Sequence, residues 1–324
     1  MASTVPTGHS LPPFSSVSIV IEWENVLLSG DSRAERMLDL VIAQANRLLV
    51  CREILISATN EQPGLVARPT GLRADIAWRL LLNPGRHYYE LKNLGAREAS
   101  GELIVFVDSD VIPDSDWLEQ LLSPFADPAT QVSCGRAYIE PSDLYNKAFA
   151  LFWFFPVRQP RGGAAAANGW PHTRHFFANN IAFRRDSALA HPFPAKDATS
   201  RGACLELADS LHRQQIPILL NDAAQVAHPP PQPGSHFTLR ALAQGRDRYL
   251  RSRGLSRTLL GSCWRWGRNS VRTVVKITWL HDRVNLPWLQ LPLAWLIGLT
   301  YYSLYWLGEV ATMLRWRPVL SITI

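Results

Sequence analysis

Three short and almost wholly apolar runs, residues 17–21 (VSIVI), 53–57 (EILIS) and 103–107 (LIVFV), alternate with segments of helical period. β-branched runs of this length with no polar face suit strands covered on both sides, the condition of a parallel sheet. Between them, Met37, Leu40, Val41, Ala45 and Leu48 recur at helical spacing within residues 33–50, and residues 91–100 read as a second helix closed by Gly101. This order predicts a doubly wound α/β sheet flanked by helices.

Such sheets bind ligands beyond the carboxyl ends of their strands. Beyond LIVFV stand Asp108, Ser109 and Asp110, then Val111, Ile112 and Pro113. Two carboxylates one residue apart have no packing role there. Their hard oxygens suit a divalent cation and, through it, a diphosphate. An Asp-x-Asp is also a common solvated turn, and its place after an apolar strand favours the ligand reading.

The chain of 324 residues is 47% hydrophobic, enough for a sizeable core, and its formal charge of +6 is unevenly spread. Residues 240–284 hold eleven Lys and Arg against Asp247 and Asp282. A basic block of this kind attracts nucleic acid or an anionic membrane, and the neighbouring segment decides between them. Residues 284–308 carry no formal charge and are rich in Leu, Trp and Tyr. As a helix they would span roughly 37 Å at about 1.5 Å per residue, more than the ~30 Å hydrocarbon core.

The expected layout is a leader (1–14), a catalytic domain (15–235), a basic amphipathic membrane-proximal segment (236–283), a transmembrane helix (284–308) and a short tail (309–324). The excess of Arg upstream of the apolar run places the catalytic body in the cytoplasm, at the cell membrane, with no nucleic-acid partner. A buried core helix is the alternative, since Pro287, Gln290, Pro292 and Glu309 interrupt the apolar character. The aromatic cluster 148–155 (AFALFWFF) is expected in the core. Four scattered cysteines with no CxxC pair exclude a disulfide scaffold and a cysteine-rich zinc module.

The stretch 91–113, LKNLGAREASGELIVFVDSDVIP, resembles the family 2 glycosyltransferases in Asn93, Gly95, Ala96, Ala99, Gly101, Phe106, Asp108, Asp110 and Pro113. VSIVI is similar to the family's first strand, residues 179–185 to its acceptor-side segment, and 205–218 to its late helix and strand, ending near His228. The resemblance spans roughly residues 15–230. It implies the type A, Rossmann-like nucleotide-sugar transferase fold, an α/β fold with a mixed, mostly parallel sheet flanked by helices, and transfer of a sugar, of hexosyl class, from a nucleoside diphosphate sugar to a glycan or lipid-linked acceptor, inverting the anomeric centre. It implies Mn or Mg bound by Asp110, with Asp108 reaching the ribose or sharing the metal and His228 approaching metal or phosphates. Glu22, Glu24, Asn25 and Lys92 fall near the nucleotide, and Asn180, Arg184 and Arg185 near acceptor or phosphate.

Three positions depart from the family pattern. The first strand runs into Glu22-Trp23-Glu24-Asn25, and the second into Ala58-Thr59-Asn60 where a base-recognising aspartate is usual. The carboxylate pair that opens the late helix falls at Ala203 and Cys204, leaving Asp197, Glu206 or a thiolate of Cys204 to take the acceptor proton. A catalytically silent membrane scaffold is therefore a second reading. A sugar nucleotidyltransferase is a third, without the Gly-rich triphosphate loop it requires.

Overall fold

Burial on both faces makes the three apolar runs the middle of one sheet. The computed structural model describes residues 14–59, 67–158, 169–195 and 202–322; apart from Phe14, the leader lies outside them. Eight strands, β1 (Val17–Glu22), β2 (Cys51–Ala58), β3 (Ala77–Leu82), β4 (Leu103–Asp108), β5 (Ile112–Pro113), β6 (Val132–Tyr138), β7 (Asn180–Arg184) and β8 (Ile218–Ala227), lie in the order β3-β2-β1-β4-β7-β6-β8-β5. The strands from β3 to β4 are parallel, and β7 runs against both β4 and β6. The strand-helix alternation predicts the parallel half, and the mixed, mostly parallel sheet is the one the resemblance implies. β3, AWRLLL, is not among the expected strands; it is an edge strand whose residues are largely solvent-facing.

The helices are α1 (Val26–Ser29), α2 (Asp31–Arg47), α3 (Tyr88–Glu98), α4 (Trp117–Leu122), α5 (Leu144–Phe152), α6 (Arg185–Ala190), α7 (Ala203–Arg213), α8 (Ser235–Arg251), α9 (Leu259–Leu280), α10 (Leu291–Met313) and α11 (Arg317–Leu320). One core cluster contains Met37, Val41 and Ala45 of α2 with Ile19, Ile54 and Val105; the other contains Ala96 of α3 with Val20 and Phe106. Gly95 allows α3 this approach: a Cβ there would stand 2.3 Å from Val20 Cγ1. From β1 the chain moves outward to β2 and β3, then returns to the other side of β1 as β4. The strand order reverses between β1 and β4, which sets a crevice where Glu22 pairs in register with Asp108.

The expectation of a transmembrane helix over 284–308 is corrected. Those residues begin in a 3₁₀ turn (His281–Val284), pass Asn285 in the left-handed conformation (φ 50°) and a second turn (Trp288–Gln290), and only then enter α10. Among the described residues no helix is long and apolar enough to cross a membrane. The physical reason lies in what α10 buries. Glu309 accepts from Arg265 Nη2 of α9 at 2.7 Å, and the Tyr301 hydroxyl donates to Gln244 Oε1 of α8 at 2.7 Å. These are the polar contacts of a helix packed on protein. The aromatic cluster is core as expected: Phe149, Phe152, Trp153 and Phe155 are buried, although Phe154 is exposed.

Candidate active site

At the β1/β4 switch point the loop after β4 turns Asp108 and Asp110 into a cavity of about 930 Å³, which Asn25, Tyr88 and His228 also line. Asp108 is held from three sides. Lys92 Nζ donates to its Oδ1 at 2.5 Å, the Tyr88 hydroxyl to its Oδ2 at 2.6 Å and Asn25 Nδ2 to the same oxygen at 3.3 Å. Lys92 is fully buried beneath Asp108 and does not line the cavity, so it neutralises the carboxylate instead of meeting a nucleotide. Burial first, and then Asp108, push the Tyr88 phenol well above its ordinary range, which keeps it a proton donor.

Asp110 is placed differently. Its backbone carbonyl accepts from Arg33 Nε, and Arg33 Nη2 also donates to the Ala227 carbonyl at 3.0 Å, tying the Asp110 turn to the end of β8. There His228 Nε2 lies 3.8 Å from Asp110 Oδ2. His228 Nδ1 is 2.6 Å from the Pro229 carbonyl, which can only accept, so Nδ1 carries a proton and Nε2 is the nitrogen left on the Asp110 side to offer a lone pair to a cation. Two ligands each about 2.1–2.3 Å from one cation sit roughly 3–4 Å apart, so this pair fits a divalent ion. Among the described residues there is no cluster of three or more His, Cys, Asp or Glu able to hold a metal. Two protein ligands with substrate phosphates completing the shell is the usual arrangement for Mg-type sites.

The remaining candidates divide. Glu22 is buried, and its Oε1 accepts from the amides of Glu24 and Asn25, shaping the loop. Glu24 accepts from the Tyr88 amide at 2.7 Å, at the start of α3. Neither lines the cavity, so their expected nucleotide contacts are corrected to loop building. Asn180 is also structural, accepting from Trp117 Nε1 at 2.8 Å and donating to the Ala224 carbonyl at 2.9 Å. Arg184 pairs with Glu102 at 2.7 Å, and Arg185 donates to the Ala99 carbonyl at 2.8 Å. Because β7 is antiparallel, Arg184 stands opposite Leu103, five residues and roughly 17 Å from Asp108 at about 3.4 Å per residue. The expected phosphate role of both arginines is corrected on that distance.

At the start of α7, Ala203 and Cys204 present no carboxylate. Cys204 lines the cavity, but burial pushes its thiol up to about 11, and the Tyr89 hydroxyl lies 3.3 Å from its sulfur. A neutral thiol is no base. Glu206 is on the exposed face of α7 and is not among the lining residues; Asp197 lies outside the described residues. At pH 8 a thiol of this pKa is roughly 10⁻³ ionised, so iodoacetamide should alkylate the exposed Cys263 and leave Cys204 unmodified in the native protein. Peptide mass mapping checks this, and rapid labelling of Cys204 would restore its candidacy. Sequence reading missed Arg33; its signal was a cation one helical turn before Met37, on the face of α2 that packs against the sheet.

The family model described as Glycosyl transferase family 2 matches residues 74–191, which include α3, β4 and the Asp-x-Asp turn. The chain's fold is that of the mannosyltransferase PcManGT from Pyrobaculum calidifontis, solved with GDP-Man and Mn2+, to which it is similar at TM-score 0.53 and 14% identity over 94% of this chain and 88% of that one. Two further solved structures align at lower scores. GalNAc-T7, crystallised with UDP, GalNAc and Mn2+, gives 0.49 at 14% identity over 68% of this chain and 44% of that one. S. aureus TarS 1-349 with UDP-GlcNAc gives 0.48 at 13% identity over 92% and 91%. No curated protein matches the chain in sequence.

Proposed function

We propose that the protein transfers a hexosyl group from a nucleoside diphosphate sugar to a glycan or lipid-linked acceptor, inverting the anomeric centre. The observation that carries this reading is the meeting of Asp110 and His228 at the switch point, in a cavity wide enough for a nucleotide sugar and more. Asp110 and His228 would hold Mn or Mg, and a cation there supplies charge neutralisation to a departing diphosphate. The Lys92–Tyr88–Asn25 set fixes Asp108 at the donor end, and Arg33 keeps the two metal-binding segments together. We assign the acceptor proton to Asp197, since Cys204 is a neutral thiol and Glu206, the carboxylate in the first turn of α7, does not line the cavity. Calorimetric titration with UDP and GDP, with and without Mn, tests the donor site. Metal-dependent binding of one of them is the expected result; binding of no nucleoside diphosphate would favour the silent scaffold.

The same reading places the protein at a membrane surface instead of across it. At ~100° per residue, Leu260, Trp264, Val271, Val275 and Trp279 fall within about 100° of arc on α9, and all are exposed, Trp264 at 72% and Trp279 at 80%. Exposed Arg253, Arg257 and Arg283 stand beyond the ends of the helix, and exposed Arg268 falls within the arc. An apolar stripe bordered by arginines suits the headgroup region of an anionic bilayer, here the cytoplasmic face of the cell membrane. The protein should float with vesicles of phosphatidylcholine and phosphatidylglycerol, and the double variant Trp264→Ser, Trp279→Ser should stay in solution. Wild-type protein remaining at the bottom of the gradient would remove the membrane from this reading.

A further inference from the structure

The cavity does not end at the donor site. Ring contacts continue its wall from His228 to Trp153 (6.2 Å), on to Tyr301 (6.4 Å) and Tyr302 (5.9 Å). At that far end two helices turn one face each toward the cavity. From α8 come Arg240, Gln244, Asp247 and Arg251, and from α9 come Asn269, Arg272, Thr273 and Lys276, both sets at spacings of three and four. The α9 set is centred on the side of the helix away from the exposed Leu260–Trp279 stripe, so the amphipathicity of α9 is cation-lined cavity against apolar exterior.

Four cations and one carboxylate line this end, and the carboxylate is already engaged: Asp247 Oδ1 accepts from both Arg246 Nε and Arg246 Nη2 at 2.9 Å. Arg251, Arg272 and Lys276 are in no ion pair among the described residues. Arg272 and Lys276 are neighbours one turn apart, an arrangement that destabilises a helix when the charges are alike. Burial, and then Arg272, lower the Lys276 pKa, a cost that an anion between the two would relieve. Arg251 marks how near this end comes to the acceptor side, since a Cβ on Gly202, the residue before α7, would stand 2.4 Å from its Nη1.

We infer that Arg240, Arg251, Arg272 and Lys276 bind a phosphate group carried by the acceptor, so that the second substrate is a phosphorylated compound. This deepens the glycosyltransferase reading and rests on it for the word acceptor, but not for the binding. Guanidinium forks from two helices and an ammonium on one of them suit the oxygens of a phosphate. The aromatic wall gives the body of such a substrate an apolar path back toward His228.

The test uses the full chain in the presence of a chelator, with phenyl phosphate and decyl phosphate as probes and benzyl alcohol and decyl glucoside as uncharged controls. Both phosphates should bind and neither control should. The double variant Arg272→Gln, Lys276→Gln should weaken phenyl phosphate binding at least tenfold, and Arg272→Lys, Lys276→Arg should restore it. Decyl phosphate binding well below its micelle concentration and tighter than phenyl phosphate indicates a lipid phosphate; equal affinities indicate a soluble one, and either supports the site. Arg251→Gln provides the same reading if the double variant fails to fold. Asp110→Asn should leave phosphate binding intact, which separates this site from the donor site even if no nucleotide binds. Unchanged affinity in the Gln variants, or phosphate binding lost in Asp110→Asn, overturns the inference.

Discussion

Asp110→Asn should abolish Mn-dependent nucleoside diphosphate binding while leaving the protein folded. The side chain loses its charge and keeps its shape, so packing against the turn is unchanged and Arg33 still holds the Asp110 backbone carbonyl. What is lost is one of the two residues that fit a cation; His228 alone, an imidazole with no negative charge, leaves the metal and the diphosphate without an anchoring charge. Loss of even a residue that supports a metal ligand costs about 10–100-fold, so loss of a direct ligand should weaken binding by at least about a hundredfold. Titration calorimetry of wild type and variant, with a thermal unfolding curve for each, reads both halves of the prediction. A chelator added to wild type should reproduce the variant. Unchanged affinity in Asp110→Asn would remove this residue from the metal site.

Lys92→Met should be the more damaging change to the fold. Lys92 and Asp108 form an ion pair with side chains 0% and 3% exposed, and removing the ammonium leaves a carboxylate in the sheet crevice with only the Tyr88 hydroxyl and Asn25 amide as donors. Breaking a buried pair from one side costs about 3–5 kcal/mol, whereas replacing both partners by neutral groups costs far less, because no uncompensated charge remains. Urea unfolding should therefore show a large loss for Lys92→Met and recovery of most of it in Lys92→Met, Asp108→Asn. Equal stabilities for wild type and Lys92→Met would mean the pair contributes nothing to holding the crevice. The double variant separates two roles of Asp108: refolded but unable to bind nucleotide, it would show that the carboxylate itself faces the donor.

The strands at 17–21, 53–57 and 103–107, the helices between them and the Asp108–Asp110 turn at the end of β4 were legible without coordinates. Each is local: apolar side chains without a polar face have one low-energy environment, and the period of the pattern selects strand or helix. That the residues after β4 and β8 lie together was legible as far as Asp110 and His228, because strand ends in such a sheet converge on one edge whatever connects them. Partners across the chain were not. Lys92 reads as a neighbour of the nucleotide until α3, brought close by Gly95, sets it under Asp108. Arg184 and Arg185 read as phosphate ligands until the antiparallel direction of β7 carries them to the opposite end of the sheet. The apolar run at 284–308 has the composition of a membrane span, and only its packing, with Tyr301 and Glu309 bonded to α8 and α9, makes most of it one wall of a folded body. The arginines of α8 and α9 show as net charge in the sequence, and only the placing of the two helices turns some of them inward on one cavity. Sequence determined what depends on neighbours three or four residues away; tertiary structure decided every pairing of charges, because the partner of a buried charge is set by strand direction and helix packing, which no short window of sequence contains.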